Sequence, residues 1–109
     1  MERLRQRADF LAAAGGLRAT TAAFVLQTRE RSDDGPVRVG FTVSKKVGGA
    51  VERNRVRRRL RAVVRLSPAE NFRIGHDYVL IGRRDALSLP FDRISEDFDG
   101  ALRRLRVKK

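Results

Sequence analysis

Residues 37–66 read VRVGFTVSKKVGGAVERNRVRRRLRAVVRL. In the first part Val37, Val39, Phe41 and Val43 alternate with Arg38, Gly40, Thr42 and Ser44. That period of two predicts a strand with one buried face. Gly48-Gly49 breaks the alternation. From about Ala50 to Leu66, Val56, Leu60, Val63 and Val64 recur at i, i+4, i+7 and i+8, the stripe of an amphipathic helix. Ser67-Pro68 ends it. A strand, a turn and a helix thus follow one another here.

On the N-terminal side a short charged helix is expected first, with Leu4, Ala8, Phe10 and Leu11 on its buried side and its end at Gly15-Gly16. Thr20–Thr28 contains Ala22-Ala23-Phe24-Val25-Leu26 and reads as strand, with residues 17–21 as a short separate strand before it. Ser32-Asp33-Asp34-Gly35-Pro36 is a turn signal. It predicts an antiparallel hairpin between the strand before it and the strand at 37–43. On the C-terminal side, Asp77 to Gly82 is a nearly continuous apolar run, expected to be a strand buried on both faces. Phe91, Ile94, Phe98, Ala101, Leu102 and Leu105 then fall on one face of a last helix, with Asp92 or Ser95 as its N-cap. The order α-β-β-β-α-β-α fits an α+β sandwich: a single domain over residues 1–109, with one mixed sheet of about four strands and helices packed on it.

Charge gives the first indication of function. Twenty-five Lys and Arg against 13 Asp and Glu leave a net +12, which points to a polyanionic partner. Residues 45–65 hold nine bases and one acid, so +8 of the +12 lies in 21 residues. Cys is absent, which excludes disulfides and cysteine-ligated zinc and fits a reducing compartment. No apolar run approaches the roughly 20 residues that span a bilayer, and no apolar signal core follows Met1-Glu2-Arg3-Leu4-Arg5. A cytoplasmic protein with no membrane partner is expected.

On a helical wheel, Asn54, Arg57, Arg58, Arg61 and Arg65 cluster away from Val56, Leu60 and Val63, with Arg55 beside them. Arg53 and Arg59 lie nearer the core stripe. A solvated helix normally pairs its cations with Glu at i±4, yet Glu52 is the only acid in the segment. Like-charged pairs such as Arg57–Arg61 and Arg61–Arg65 each cost some tenths of a kcal/mol, a penalty that closely spaced phosphates would reverse. Guanidinium groups grip phosphates bidentately and stack on unpaired bases, which suits folded RNA. The turn at Gly48-Gly49 and the helix N-terminus offer backbone N–H groups to a further phosphate.

The run Lys45-Lys46-x-Gly48-x-Ala50-Val51-x-Arg53-Asn54-Arg55-x-Arg57-Arg58-x-x-Arg61 closely resembles the signature of the ribonuclease P protein family. The resemblance extends to Asp9-Phe10 on the first helix, to the strand Val39–Ser44 leading into the motif, and to the late strand and helix. It implies the fold of the second domain of a small-subunit ribosomal protein, with a left-handed β-α-β crossover around the basic helix. It also implies that Lys45, Lys46, Arg53, Asn54, Arg55, Arg57, Arg58, Arg61 and Arg65 contact ribonuclease P RNA. The family's cleft for the single-stranded 5′ leader of precursor tRNA would include Phe10 and Gln27. Ala14 and Gln27 stand where many members carry further aromatics, and Arg57 stands where Lys is frequent. The chemistry would belong to the RNA subunit with bound Mg2+, and the polypeptide would assist an endoribonuclease without cutting by itself.

The residues agree with a polypeptide lacking its own catalytic centre. His76 is the only histidine. Glu96, Asp97 and Asp99 suit the early turns of a helix, and Asp33-Asp34 belongs to a turn. None is joined by a His or a second ligand group at metal-site spacing. A ribosomal or other structural RNA-binding protein would share the charge and size, but nothing in one demands the Lys-Lys-x-Gly turn joined to Arg-Asn-Arg. A protein-only nuclease would need clustered acids. A duplex-DNA binder would more typically bring a helix-turn-helix or a dimer element, so no DNA partner is expected.

Overall fold

The computed structural model describes residues 1–107. Its elements in chain order are β1 (Glu2–Arg3), α1 (Arg7–Ala14), β2 (Leu17–Thr20), β3 (Phe24–Glu30), β4 (Arg38–Thr42), α2 (Ala50–Leu66), β5 (His76–Gly82) and α3 (Phe91–Val107). Short 3-10 turns at Lys45–Val47, Ala69–Asn71 and Arg84–Leu87 link them. The α+β class holds. The sheet has five strands, because Glu2–Arg3 adds a short edge strand parallel to β4. Two charged residues carry no alternation that could have announced it.

The sheet order is β1-β4-β5-β3-β2. β2 and β3 form the antiparallel hairpin, β5 pairs antiparallel with β3 and parallel with β4, and α2 joins the parallel pair. The predicted hairpin between β3 and β4 is therefore not formed, since β5 lies between them. The turn encloses the entrance of β5 instead: Arg31 N–H donates to the Gly75 carbonyl at 2.8 Å and Gly75 N–H to the Gly35 carbonyl at 2.9 Å. A strand apolar on both faces is best satisfied at the centre of a sheet covered on both sides. Burial of Asp77, Tyr78, Val79 and Leu80 in β5 agrees.

α2 and α3 cover one face. Val56, Leu60 and Val63 from α2, and Ile94, Phe98, Ala101 and Leu105 from α3, pack with Phe24, Leu26, Tyr78 and Leu80. The six-residue apolar face predicted for α3 is as observed, with Phe91 half-buried at its start. Gly82 lets α2 approach, because a Cβ there would lie 2.6 Å from Val56 Cγ1. α1 covers the other face in a smaller cluster of Leu4, Phe10, Ala13, Val79 and Ile81. Three details differ from expectation at the chain ends. Leu4 is buried but precedes the helix, Ala13 takes the buried helical position, and Ala8 and Leu11 are exposed. With only eight residues, α1 spans about two turns and shows the sheet a narrow face. α3 starts at Phe91, so Asp92 lies in its first turn and Ser95 inside it, and neither is the N-cap. No described helix is long and apolar enough to cross a membrane.

Candidate nucleic-acid interface

The basic segment is fixed at its N-terminal turn and again midway along α2 by contacts with the chain after β5. Val47 is buried and anchors the Lys45–Val47 turn, leaving Lys45 and Lys46 exposed. Gly49 is the N-cap of α2, and its N–H donates to Glu52 Oε1 at 3.3 Å. Arg84, after β5, donates to the Val47 carbonyl and to Glu52 Oε2, the latter at 3.3 Å. The one acid of the segment is thus engaged in fixing the turn. Further along α2, Arg59 donates to the carbonyls of Ala86 and Leu89, both at 2.6 Å, and pins the helix to the loop before α3. Its place near the core stripe suits that structural use.

The remaining cations face outward. Lys45, Lys46, Arg55, Arg58, Arg61 and Arg65 are exposed, as is Asn54. Arg57 is half-buried and donates to Asn54 Oδ1 at 3.1 Å. Arg53 is half-buried, and its Nε is buried without a hydrogen-bond partner among the described residues. None of these cations has a carboxylate within 4.0 Å among the described residues, whereas Arg29, Arg31, Arg38, Arg84 and Arg93 all do. A 17-residue helix is about 25 Å long. The structure therefore presents a rod of unneutralised guanidinium groups with two lysines at its N-terminal end.

Phe10 lies on the opposite face of the sheet. Its ring rests on Gly40, where a Cβ would come within 2.6 Å of two ring carbons. It is half-buried, so core packing and an open face coexist in the same ring. Gln27, in register with Val79, shares this face but is only 5% exposed. Ala14, at the end of α1, is exposed. The α2 residues and the Phe10 pair are thus two separate surfaces on either side of one sheet.

A buried ionic cluster that no local sequence pattern announces lies beside Phe10. Asp77 is fully buried at the start of β5, and its register partners are Arg29 on β3 and Arg38 on β4. It accepts hydrogen bonds from Arg31 Nη1 at 2.6 Å and from Arg38 Nε and Nη2, both at 2.8 Å, and Arg29 Nη2 lies at 3.1 Å. Burial alone pushes the Asp77 carboxyl up, but hydrogen bonds and charge from Arg38 and Arg31 outweigh it and hold the group below its ordinary value. Asp9 on α1 sits 3.4 Å from Arg38 and 3.6 Å from Arg29, tying the helix that carries Phe10 to the cluster. The available signal was an acid heading an otherwise apolar strand. Arg31 also binds Asp33 of the preceding turn, which lowers that carboxyl through the hydrogen bond.

His76 heads β5, with Nδ1 3.0 Å from the Ile74 carbonyl oxygen. Asp97 pairs with Arg93, and Asp99 accepts from the Ser67 hydroxyl. Among the described residues no three His, Asp or Glu side chains are grouped to hold a metal ion.

A model of the family described as ribonuclease P matches residues 1–106. The chain belongs to the ribonuclease P protein family. A ribonuclease P protein component from Ruegeria pomeroyi is 50% identical over 110 residues, covering 97% of this chain and 87% of its own. One from Caulobacter vibrioides is 49% identical over 102 residues, covering 93% of this chain and 68% of its own. The ribonuclease P protein of Staphylococcus aureus superposes with a TM-score of 0.79 at 25% identity, over 100% of this chain and 99% of that one. The Thermotoga maritima ribonuclease P protein gives 0.77 at 30% identity, over the whole of both chains. The fold is thus the ribonuclease P protein fold, with the signature segment forming α2 and the turn before it.

Proposed function

We propose that this chain is the protein subunit of a bacterial ribonuclease P. It binds the catalytic RNA through Lys45, Lys46 and the outer face of α2, and it steers the 5′ leader of precursor tRNA over the Phe10 face. The observation that carries the reading is the rod of outward cations without internal counter-charges. Such a surface is repulsive until phosphates occupy it, and counterions released on contact make the gain strongly dependent on salt. Asn54, whose Oδ1 accepts from Arg57, adds the directed N–H donors of its amide to a field of point charges.

The division of labour follows. On this reading the polypeptide binds and positions the two RNAs and takes no catalytic step itself. Magnesium, as Mg2+, belongs on this reading mainly to the RNA subunit, which carries the hydrolysis. The protein offsets repulsion between two polyanions and so lowers the magnesium needed to join them. At the leader, Phe10 offers one stacking face, and buried Gln27 contributes through shape more than direct contact. A subunit of this kind works in the cytoplasm, where precursor tRNA is made.

The test is cleavage of a 5′-extended precursor tRNA at low magnesium by the protein alone, by a bacterial ribonuclease P RNA alone, and by both together. Cleavage at the mature 5′ end only in the mixture is expected. If the mixture cleaves no better than the RNA alone although the protein binds RNA, the subunit reading fails. If nuclease-free protein cleaves alone, the placement of the chemistry fails.

A further inference from the structure

A groove of about 570 Å³ runs between the β1–β4 edge of the sheet and the C-terminal half of α2. Val39, Phe41 and Val64 line its floor, and Arg3, Arg61 and Arg65 its rim. Phe41 points to the α2 face of the sheet, opposite Phe10, and is half-buried. The Arg61 guanidinium carbon stands 5.8 Å from the centroid of the Phe41 ring, near the outer limit of a cation–π contact. Exposed Arg61 and Arg65 have no carboxylate within 4.0 Å among the described residues. The rim carries three arginines and one acid, Glu2.

We propose that this groove receives one unpaired nucleotide of the ribonuclease P RNA, its base against Phe41 and its phosphate on Arg61 and Arg65. The proposal rests on the function proposed above and names a contact within it. An apolar floor with an aromatic face accepts any base, and a cationic rim demands an anion, so a nucleotide satisfies both halves where a neutral apolar ligand satisfies one. A surface helix contacting only duplex backbone needs no such floor. The catalytic RNA is the source because the rim is continuous with the outer face of α2, while the Phe10 surface lies across the sheet.

The test measures protein affinity for a bacterial ribonuclease P RNA, and holoenzyme affinity for precursor tRNA with and without its leader. Phe41→Leu keeps the apolar volume but removes the aromatic face, and about tenfold weaker binding to the catalytic RNA is expected. Phe41→Tyr keeps the ring and should bind within about twofold of the parent, and equal Tm values for Phe41→Leu and the parent separate the loss of the aromatic face from a loss of packing. Ala69→Glu adds a carboxylate at the exposed groove wall without touching the core, and it should weaken binding to a similar extent. It decides the matter alone if Phe41→Leu unfolds by circular dichroism. If Phe41→Leu and Ala69→Glu both bind normally while Arg58→Ala is weakened, the groove proposal is overturned and the subunit reading stands. If Arg58→Ala is also silent, both are overturned. A loss seen only with leader-bearing precursor would overturn the catalytic RNA as the occupant.

Discussion

Replacing Asp77 with Asn removes one negative charge from the most buried charged site described in the protein while keeping the side chain's size. Asp77 has no exposed surface, and three guanidinium groups converge on it at 2.6–3.1 Å. The amide would turn an N–H2 donor toward groups that can only donate. Arg31, itself only 8% exposed, would keep Asp33 as its one carboxylate beside the His76 and Pro36 carbonyls, and Arg38 and Arg29 would keep Asp9 at 3.4 and 3.6 Å. Breaking a buried ion pair by removing one partner costs about 3–5 kcal/mol. Unfolding entropy near 2.1 cal/mol/K per residue converts that to a fall in Tm of about 13–22 °C for a chain of this length. A folded domain of this size holds roughly 5–15 kcal/mol, so the variant folds but marginally. Urea unfolding followed by circular dichroism measures the difference directly. The folded carboxyl titrates below its ordinary 3.8, so its contribution is fully present above that value and is lost as pH falls below it. The stability gap between parent and variant should therefore be constant from neutral pH to about pH 5 and close in more acid solution. A gap under about 1 kcal/mol at pH 7, or one that persists unchanged at pH 2, would refute this account of the cluster.

Other expectations follow from the same geometry. Arg58→Ala should weaken binding to ribonuclease P RNA and make the plot of log affinity against log salt shallower by about 1, with no change in Tm; an unchanged slope would place Arg58 off the phosphates. Arg59→Ala leaves the Ala86 and Leu89 carbonyls without their donor and should lower stability by about 1–3 kcal/mol in urea unfolding, with little effect on RNA affinity measured where the variant is folded. Arg84→Ala frees the Lys45–Val47 turn, so RNA affinity should fall although Arg84 belongs to neither proposed surface; normal affinity would show that the turn holds without it. Gly40→Ala forces the Phe10 ring off β4 and should reduce the holoenzyme's preference for leader-bearing over leaderless precursor while leaving assembly with the RNA intact.

What the sequence determined by itself was whatever depends on near neighbours. α2 from Ala50 to Leu66 and the apolar face of α3 repeat within a few residues, and a helix places such residues side by side whatever the rest of the chain does. The outward arginines were legible for the same reason, since a wheel fixes which of them share a face. Pairing between distant strands has no such local code. The turn at 32–36 looked like a hairpin, and only the tertiary structure decided that β5 enters between its arms, because burying a strand apolar on both faces outweighs local turn preference. Which cations are committed within the protein was likewise decided in three dimensions. Arg59 and Arg84 look in sequence like the arginines around them, yet carbonyls some 27 to 37 residues away make them structural. Asp77, Arg29, Arg31 and Arg38 are scattered over three strands and a turn, and they become one buried charge cluster only when the register sets Arg29, Asp77 and Arg38 side by side. The net charge and its concentration in one segment are properties of composition, but which positive groups remain free for RNA is a property of the fold.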